Sequence, residues 1–176
     1  LYDQIGEDES IKFDRSNCGI LHFYKDDAYW DNAQTVMELY NTNGLVREEV
    51  NPAYVGAVDP ALKDIVGIVG ATITESDWTG DIHKFCYELA EVLKTKYNVK
   101  FHYNWKIKHI EEMSWYDAVV VANGVGSTAL AKTVGDSIDV YPVKGYSITI
   151  NNVDPKLLPK VSLLDDQAKI VTSTLG

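Results

Sequence analysis

The feature that most constrains this chain is an apolar run, residues 117–122 (DAVVVA), that leads directly into a glycine-containing turn. The turn occupies residues 123–129 (NGVGSTA), and the residues from 127 to 134 (STALAKTV) predict a short helix. A run that is apolar at consecutive positions is typical of a strand covered on both faces in a parallel sheet. Strand, tight turn and helix in this order predict an α/β layer in the middle of the chain.

Two interpretations of the glycine turn stay open on the residues alone. Gly124-x-Gly126-x-x-Ala129 matches the dinucleotide fingerprint, in which glycines let the backbone approach a pyrophosphate at a helix N-terminus. The alternative is a tight turn that needs glycine for its dihedral angles. In a first nucleotide-binding turn an acidic residue follows about 20 positions on, but Asp136 and Asp139 come too early. The turn therefore fits a later strand-end loop facing a cofactor better than a nicotinamide-type first turn.

Hydrophobic patterns predict further elements on both sides of this layer. One helix is predicted from Asp26 to Tyr40, ended by Gly44, and another over residues 81–97, with Thr79 or Asp81 as its N-cap. Strands are predicted at residues 18–24, 65–74, 99–103, 105–110, 139–150, 161–164 and 169–174. The strands after residue 138 are expected to be antiparallel. The fold class is therefore mixed α/β, with a partial Rossmann-like layer and an antiparallel-sheet domain that has a flanking helix.

Charge and composition exclude several classes of function. The chain has 16 basic and 26 acidic residues, a net charge of −10, and such a surface repels nucleic-acid phosphates. The four histidines lack the spacing of metal ligands, so no metal site is predicted. Cys18 and Cys86 are predicted to be buried reduced thiols.

No stretch approaches the roughly 18 apolar residues of a membrane span, and the acidic N-terminus does not resemble a signal peptide. A cytoplasmic protein is expected.

Three segments carry a resemblance to a known family. They are residues 141–150 (YPVKGYSITI), 117–124 (DAVVVANG) and 161–166 (VSLLDD). Together they resemble the bacterial FAD-dependent D-amino-acid dehydrogenases, which belong to the D-amino-acid oxidase-like flavoprotein superfamily. The resemblance runs through nearly the whole chain and includes residues 18–21, 79–81 and 169–172. The first segment is fairly specific to that branch, whereas many flavoproteins share the strand and glycine turn.

The resemblance implies an FAD enzyme that oxidises a D-amino acid to an imino acid, which hydrolyses to a 2-oxo acid and ammonia. Hydride passes from the substrate Cα to the flavin, and the electrons leave to a quinone-type acceptor, with at most peripheral contact at the inner face of the cell membrane. No catalytic residue is assigned. The implied cofactor-side residues are Ile107, Ala122, Asn123, Gly124 and Ser127, and the implied substrate-side residues are Lys144, Gly145 and Tyr146. For Tyr146 a packed strand tyrosine is the alternative.

The resemblance also implies a division into domains. Residues 1–79 and 138–176 are expected to form a discontinuous substrate-binding domain, whose two flanks pair in one sheet, and residues 80–137 part of the FAD-binding domain. Family members are much longer: a G-x-G-x-x-G strand-turn precedes this region, and a second flavin-contacting region follows it. Neither is present here, and the connection at residues 111–116 is short. We therefore expect the central portion of a longer enzyme, inactive by itself.

Two other classes of function stay open on the sequence. One is a small nicotinamide-binding oxidoreductase that uses the Gly124 turn as its phosphate loop. The other is a non-catalytic, truncated relative of the flavoenzymes. The preferred D-amino acid, the oligomeric state and the electron acceptor cannot be assigned from these residues.

Overall fold

A computed structural model describes residues 1–175, and in it the chain falls into two compact units. The first unit comprises Leu1–Val99 together with the chain from Asn151 onward, and the second comprises Lys100–Ile150. The helices are α1 (Tyr2–Asp8), α2 (Asp27–Thr42), α3 (Val55–Val58), α4 (Ile82–Thr95) and α5 (Ser127–Lys132). The strands are β1 (Ile20–Tyr24), β2 (Glu48–Val50), β3 (Gly70–Thr74), β4 (Ser162–Asp165) and β5 (Ile170–Thr172). The predicted mixed α/β class is confirmed.

The strands form one sheet in the order β2-β3-β1-β4-β5, within the first unit. The two flanks of the chain pair with each other, as predicted, because β1 lies beside β4 with Leu21 opposite Leu163. This pair is parallel, however, so the prediction that the C-terminal strands are antiparallel holds for β4 with β5 and is wrong for β4 with β1. A parallel neighbour needs a long crossover connection, and the chain between Tyr24 and Ser162 supplies one.

The two faces of β1 have different environments, since successive side chains of a strand point to opposite faces. Leu21 and Phe23 are buried in the main core. The other buried members of this core are Val55, Leu62, Ala71 and Leu163. On the opposite face, α2 places Trp30 with its ring centroid 5.5 Å from that of Tyr24. A Cβ on Gly70 would collide with the Trp30 ring, so glycine is what allows this close approach of helix and strand.

Helix α4 confirms the predicted amphipathic helix and its N-cap. The Asp81 carboxylate accepts a hydrogen bond from the Lys84 backbone N–H at 3.0 Å. Phe85 packs with Ile11 and Phe13 in a second, smaller core. The prediction that Cys86 is buried is wrong, because the next position on a helix lies about 100° around the axis from Phe85 and is exposed. Cys18 is half-buried, and both thiols are free.

Four predicted strands are wrong, and all four lie wholly or largely in the second unit. Residues 99–103, 105–110, 117–122 and 139–150 form no strand pairing with any part of residues 1–175. The predicted strand at residues 65–74 is shortened to β3. A strand is defined by hydrogen bonds to a neighbour, and an apolar pattern alone does not supply that neighbour. The helix predicted after the glycine turn is confirmed as α5.

The predicted division into functional domains stays a prediction. In the structure α4 belongs to the first compact unit. The sequence prediction assigns the same helix to the FAD-binding domain, residues 80–137. Contacts within the chain do not reveal which part binds a cofactor. Among residues 1–175, no helix combines the length and the apolar character needed to cross a bilayer.

Candidate functional site

The second unit contains a cleft of about 840 Å³ between two extended segments and α5. Its walls are mostly aliphatic, with one indole and a few polar groups. The lining residues are Asn104, Trp105, Lys106, Ile107, Ile110, Met113, Val119, Val120, Val121, Ala122, Asn123 and Leu130. A cleft of this size, mainly apolar with a small number of polar groups, is typical of a site for a small molecule or cofactor.

Hydrogen bonds to Thr133 hold two walls of the cleft together. The Ile110 backbone N–H donates to Thr133 Oγ1 at 3.2 Å. Thr133 Oγ1 in turn donates to the Leu130 carbonyl at 2.7 Å. Ile110 opens the short 3-10 helix Ile110–Met113, and Leu130 lies in α5. The hydroxyl therefore fixes the distance between the two elements that carry Ile110, Met113 and Leu130 into the cleft.

Glu112 shapes the neighbouring wall. Its carboxylate accepts hydrogen bonds from the backbone N–H groups of His109 at 2.8 Å and Lys108 at 3.0 Å. These bonds stabilise the charged form and hold the pKa of Glu112 below its usual value. Glu112 therefore caps the short 3-10 helix that begins at Ile110. The cap ends the extended segment that carries Trp105 and Ile107.

The geometry of the glycine turn gives a local reason for Gly124. Gly124 has a φ of +54°, in the left-handed region that glycine adopts without strain. A Cβ on Gly126 would collide with the Asn123 side-chain amide. The Asn123 backbone N–H donates to Ser127 Oγ at 3.1 Å, which closes the turn onto the start of α5. The tight-turn interpretation therefore accounts for Gly124, and the case for a cofactor depends on the adjoining cleft.

The structure brings some of the predicted site residues together. Ile107, Ala122 and Asn123 all line the cleft, while Gly124 and Ser127 follow directly in the turn. The substrate-side residues are not among the lining residues. Tyr146 is 86% exposed, and the Lys144 ammonium nitrogen lies 5.1 Å from the centroid of its ring. The roles given to these residues stay predictions.

Sequence reasoning missed most of the cleft lining. Trp105, Met113 and Leu130 come from an extended segment, a 3-10 helix and α5, which no common periodicity connects. The apolar run at residues 117–122 was the available signal for one wall. Nothing in the sequence indicated which residues face it.

His22, Tyr24 and Asp166 form a polar cluster on the sheet of the first unit. His22 Nδ1 is 2.7 Å from Asp166 Oδ2, and both side chains are partly buried. The pKa of the Tyr24 hydroxyl is raised to about 12 because the side chain is buried and because the Asp166 carboxylate lies close by. The neighbouring aspartates Asp165 and Asp166 follow different paths. Asp165 does cap the turn, accepting from the Ala168 backbone N–H at 2.9 Å, but Asp166 joins β1 to the β4–β5 hairpin.

Comparison with protein families adds a decisive observation. The model of the DAO family, described as FAD dependent oxidoreductase, matches residues 1–175. The chain belongs to this family. The match covers both compact units, so it includes the cleft and the sheet alike.

Curated relatives point the same way. D-amino acid dehydrogenase 3 of Mesorhizobium japonicum is 39% identical over 191 residues, which cover 98% of this chain and 46% of that protein. A D-amino acid dehydrogenase of Paramagnetospirillum magneticum is 32% identical, with 98% and 44% covered. One of Dechloromonas aromatica is 33% identical, with 97% and 45% covered. The chain thus spans less than half the length of these relatives.

The residues of the cleft fit part of an FAD molecule. Ile107, Ala122 and the valines beside them offer an apolar wall to a flat ring, and the Asn123 amide and Lys106 ammonium offer polar contacts. The open space around Gly124, where an added Cβ would meet nothing within 4 Å, leaves the backbone accessible beside the cleft. Among residues 1–175 no carboxylate lines the cleft, while the ionised Glu112 lies in the neighbouring wall.

Proposed function

We propose that this chain is the central part of an FAD-dependent D-amino-acid dehydrogenase, which converts D-amino acids to 2-oxo acids and ammonia. The observation that carries the proposal is the coincidence of two facts. Relatives named D-amino acid dehydrogenase align along 97–98% of the chain. The predicted cofactor-side residues Ile107, Ala122 and Asn123 also meet at one apolar cleft.

The chemistry divides between cofactor and protein. FAD, when bound, accepts the hydrogen at the substrate Cα together with both electrons of the C–H bond. The resulting imino acid adds water and releases ammonia, which leaves the 2-oxo acid. Ile107 and Ala122 contribute an apolar wall that excludes water, and Asn123 fixes the turn beside it. On the substrate side, Lys144, Gly145 and Tyr146 form the segment that crosses from the cofactor part to the substrate part.

The partners follow from the same proposal. The substrate is a D-amino acid, and a quinone-type acceptor takes the electrons from the reduced flavin. The protein is cytoplasmic and contacts the inner face of the membrane peripherally. Because the chain spans less than half of its relatives, we propose that it does not turn over substrate by itself.

The test compares the complete protein that contains this chain with the 176-residue chain. We expect flavin absorbance and D-alanine oxidation with an artificial electron acceptor in the complete protein, and no turnover by the chain. Ala122→Trp fills the cleft and should weaken FAD binding at least tenfold. Val143→Trp, at a side chain that is 94% exposed and outside the cleft lining, should leave FAD binding unchanged. Equal FAD binding by both variants would overturn the assignment of the cleft.

Two rival functions give different results in the same assays. A nicotinamide-dependent enzyme would bind NADH and contain no flavin after purification. A non-catalytic relative could bind FAD but would release no 2-oxo acid from any D-amino acid. Turnover of D-alanine by the 176-residue chain would contradict the proposal that it is incomplete.

A further inference from the structure

A second cavity, of about 350 Å³, lies in the first unit beside the smaller core. Four of its lining side chains are aromatic, and we call the cavity the aromatic pocket. These side chains are Tyr2, Phe13, Trp78 and Phe85. Phe13 and Phe85 are buried, whereas Tyr2 is 44% exposed and Trp78 is half-buried. A ligand from solvent can therefore reach part of the aromatic surface.

The four rings form a closed cycle of edge-to-face contacts. The Tyr2 ring meets those of Trp78 and Phe85, with centroids 5.9 and 5.1 Å apart. The Phe13 ring meets the same two rings at 5.8 and 5.1 Å. In each contact the positive edge of one ring approaches the negative face of another. A cation on this group can lie within about 6 Å of more than one ring centroid, which is the range of cation–π attraction.

The Trp78 ring already attracts one cation in this structure. The Arg15 guanidinium carbon lies 5.0 Å from the centroid of the Trp78 ring. Asp3 pairs with the same guanidinium at 2.9 Å and so neutralises its charge. Arg15 is not among the residues that line the pocket, and the part of the indole that faces the pocket is therefore available to another cation.

The charge around the pocket also favours a cation. Four aspartates are sequence neighbours of lining residues, at positions 3, 14, 77 and 81. The first two are paired, with Arg15 and Lys84. Asp77 and Asp81 form no salt bridge within residues 1–175, against one unpaired lysine among the same neighbours, Lys12. The whole chain has a net charge of −10, and such a field attracts cations.

We propose that the aromatic pocket binds the trimethylammonium group of a small organic cation. A quaternary ammonium group has no N–H donors, so it can enter an apolar site without leaving hydrogen bonds unsatisfied. Among residues 1–175 no carboxylate lines the pocket, so a primary ammonium group would lack a charged acceptor there. Clustered aromatic rings recognise quaternary ammonium groups through cation–π attraction. The inference goes beyond the proposed function and uses no residue of the cleft.

The test compares three probes on the 176-residue chain by nuclear magnetic resonance. They are choline, the neutral alcohol in which a carbon atom replaces the choline nitrogen, and ethanolamine, which has a primary ammonium group. The chain has four tryptophans, and the Trp78 indole N–H signal is identified by its absence from Trp78→Phe. We expect choline to shift this signal and to bind about tenfold more tightly than either other probe.

The two comparison probes can each overturn the proposal. Equal binding of the neutral alcohol would show that the pocket selects shape rather than charge. Equal binding of ethanolamine would show that the pocket does not select an alkylated ammonium group.

Variants distinguish the aromatic ring from the space that it fills. Trp78→Leu should weaken choline binding about tenfold, whereas Trp78→Phe retains a ring and should weaken it less than about threefold. Tyr2→Leu, at a partly exposed side chain, provides a second variant that leaves the buried rings in place and should weaken binding about fivefold. Trp115→Leu is the matched control, because Trp115 is 63% exposed and does not line the pocket. It should bind choline as the parent does.

Two further results would overturn the proposal. One is a chain with a native circular dichroism spectrum whose Trp78 signal does not move with choline. The other is parent-like choline binding by folded Trp78→Leu and Tyr2→Leu. Neither result bears on the proposed function, which the flavin content of the complete protein decides.

Discussion

The two units of this chain contain strand-like sequences of similar apolar character, yet within residues 1–175 only the first unit forms a sheet. In the first unit, β1 lies between β3 and β4, and Leu21 is fully buried at 0% exposure. In the second unit, residues 117–122 are at least as apolar, but they have no strand neighbour within residues 1–175, and Val120 is 88% exposed. The comparison teaches that an apolar pattern specifies where a strand can form, while its neighbours determine whether it does.

Truncating one valine and one leucine tests this contrast with the largest expected effect. Leu21→Ala removes buried methyl groups from the main core and should lower the free energy of unfolding by about 4 kcal/mol. Val120→Ala should change it by less than about 0.5 kcal/mol, because the side chain is already in water. Urea denaturation followed by circular dichroism measures both. A loss from Val120→Ala as large as that from Leu21→Ala would show that the second unit has a packed core after all.

A pair of capping aspartates tests how far the first unit depends on contacts between distant segments. Asp59 and Asp154 each precede a proline and accept from a backbone N–H two residues on, at 2.8 and 2.9 Å. Asp59 is fully buried, and its second oxygen also accepts from Lys160 and Val161 at 2.6 and 3.0 Å. Asp59→Ala should therefore cost about 3 kcal/mol.

The control for that prediction is Asp154→Ala, which removes a cap on the surface and should cost about 1 kcal/mol. Thermal or urea unfolding compares the two variants. Equal losses would mean that the bonds from Asp59 to residues 160 and 161 do not hold the flanks of the first unit together.

The pH dependence of Tyr24 gives the smallest effect. Burial first, and then the nearby Asp166 carboxylate, raise the pKa of Tyr24 to about 12 from its usual value of 10.0. The stabilisation is fully present below about pH 10 and is lost as the pH rises towards about 12, because ionised Tyr24 cannot stay buried. The free energy of unfolding should fall by about 2 kcal/mol across this range from this group.

Tyr24→Phe should remove this component of the pH profile. Tyr146→Phe, at a side chain that is 86% exposed, should retain the profile of the parent protein. Denaturation curves recorded between pH 9 and about 12 provide the measurement. A parent-like decline in Tyr24→Phe would show that other groups control the alkaline transition.

The sequence predicted the elements whose evidence is local. Helix α4 begins at its Asp81 cap, β1 and β5 lie within the predicted segments, and β4 extends one residue beyond its predicted segment, to Asp165. The predicted burial of Cys86 was wrong because this residue lies outside the face of α4 that packs around Phe85. The parallel pairing of β1 with β4 could not be predicted, since the residues that pair are more than a hundred positions apart and no local signal joins them.

The candidate site shows the same division between what local sequence predicts and what depends on distant contacts. Sequence by itself determined the glycine turn, the helix after it and the family resemblance that pointed to Ile107, Ala122 and Asn123, because motifs and periodicity are properties of consecutive residues. Tertiary structure alone decided that these residues share a cleft with Trp105, Met113 and Leu130. It also decided that the apolar run at residues 117–122 pairs with no strand in the described part of the chain. Both outcomes depend on contacts between segments far apart in the chain, and those contacts form only when the chain folds.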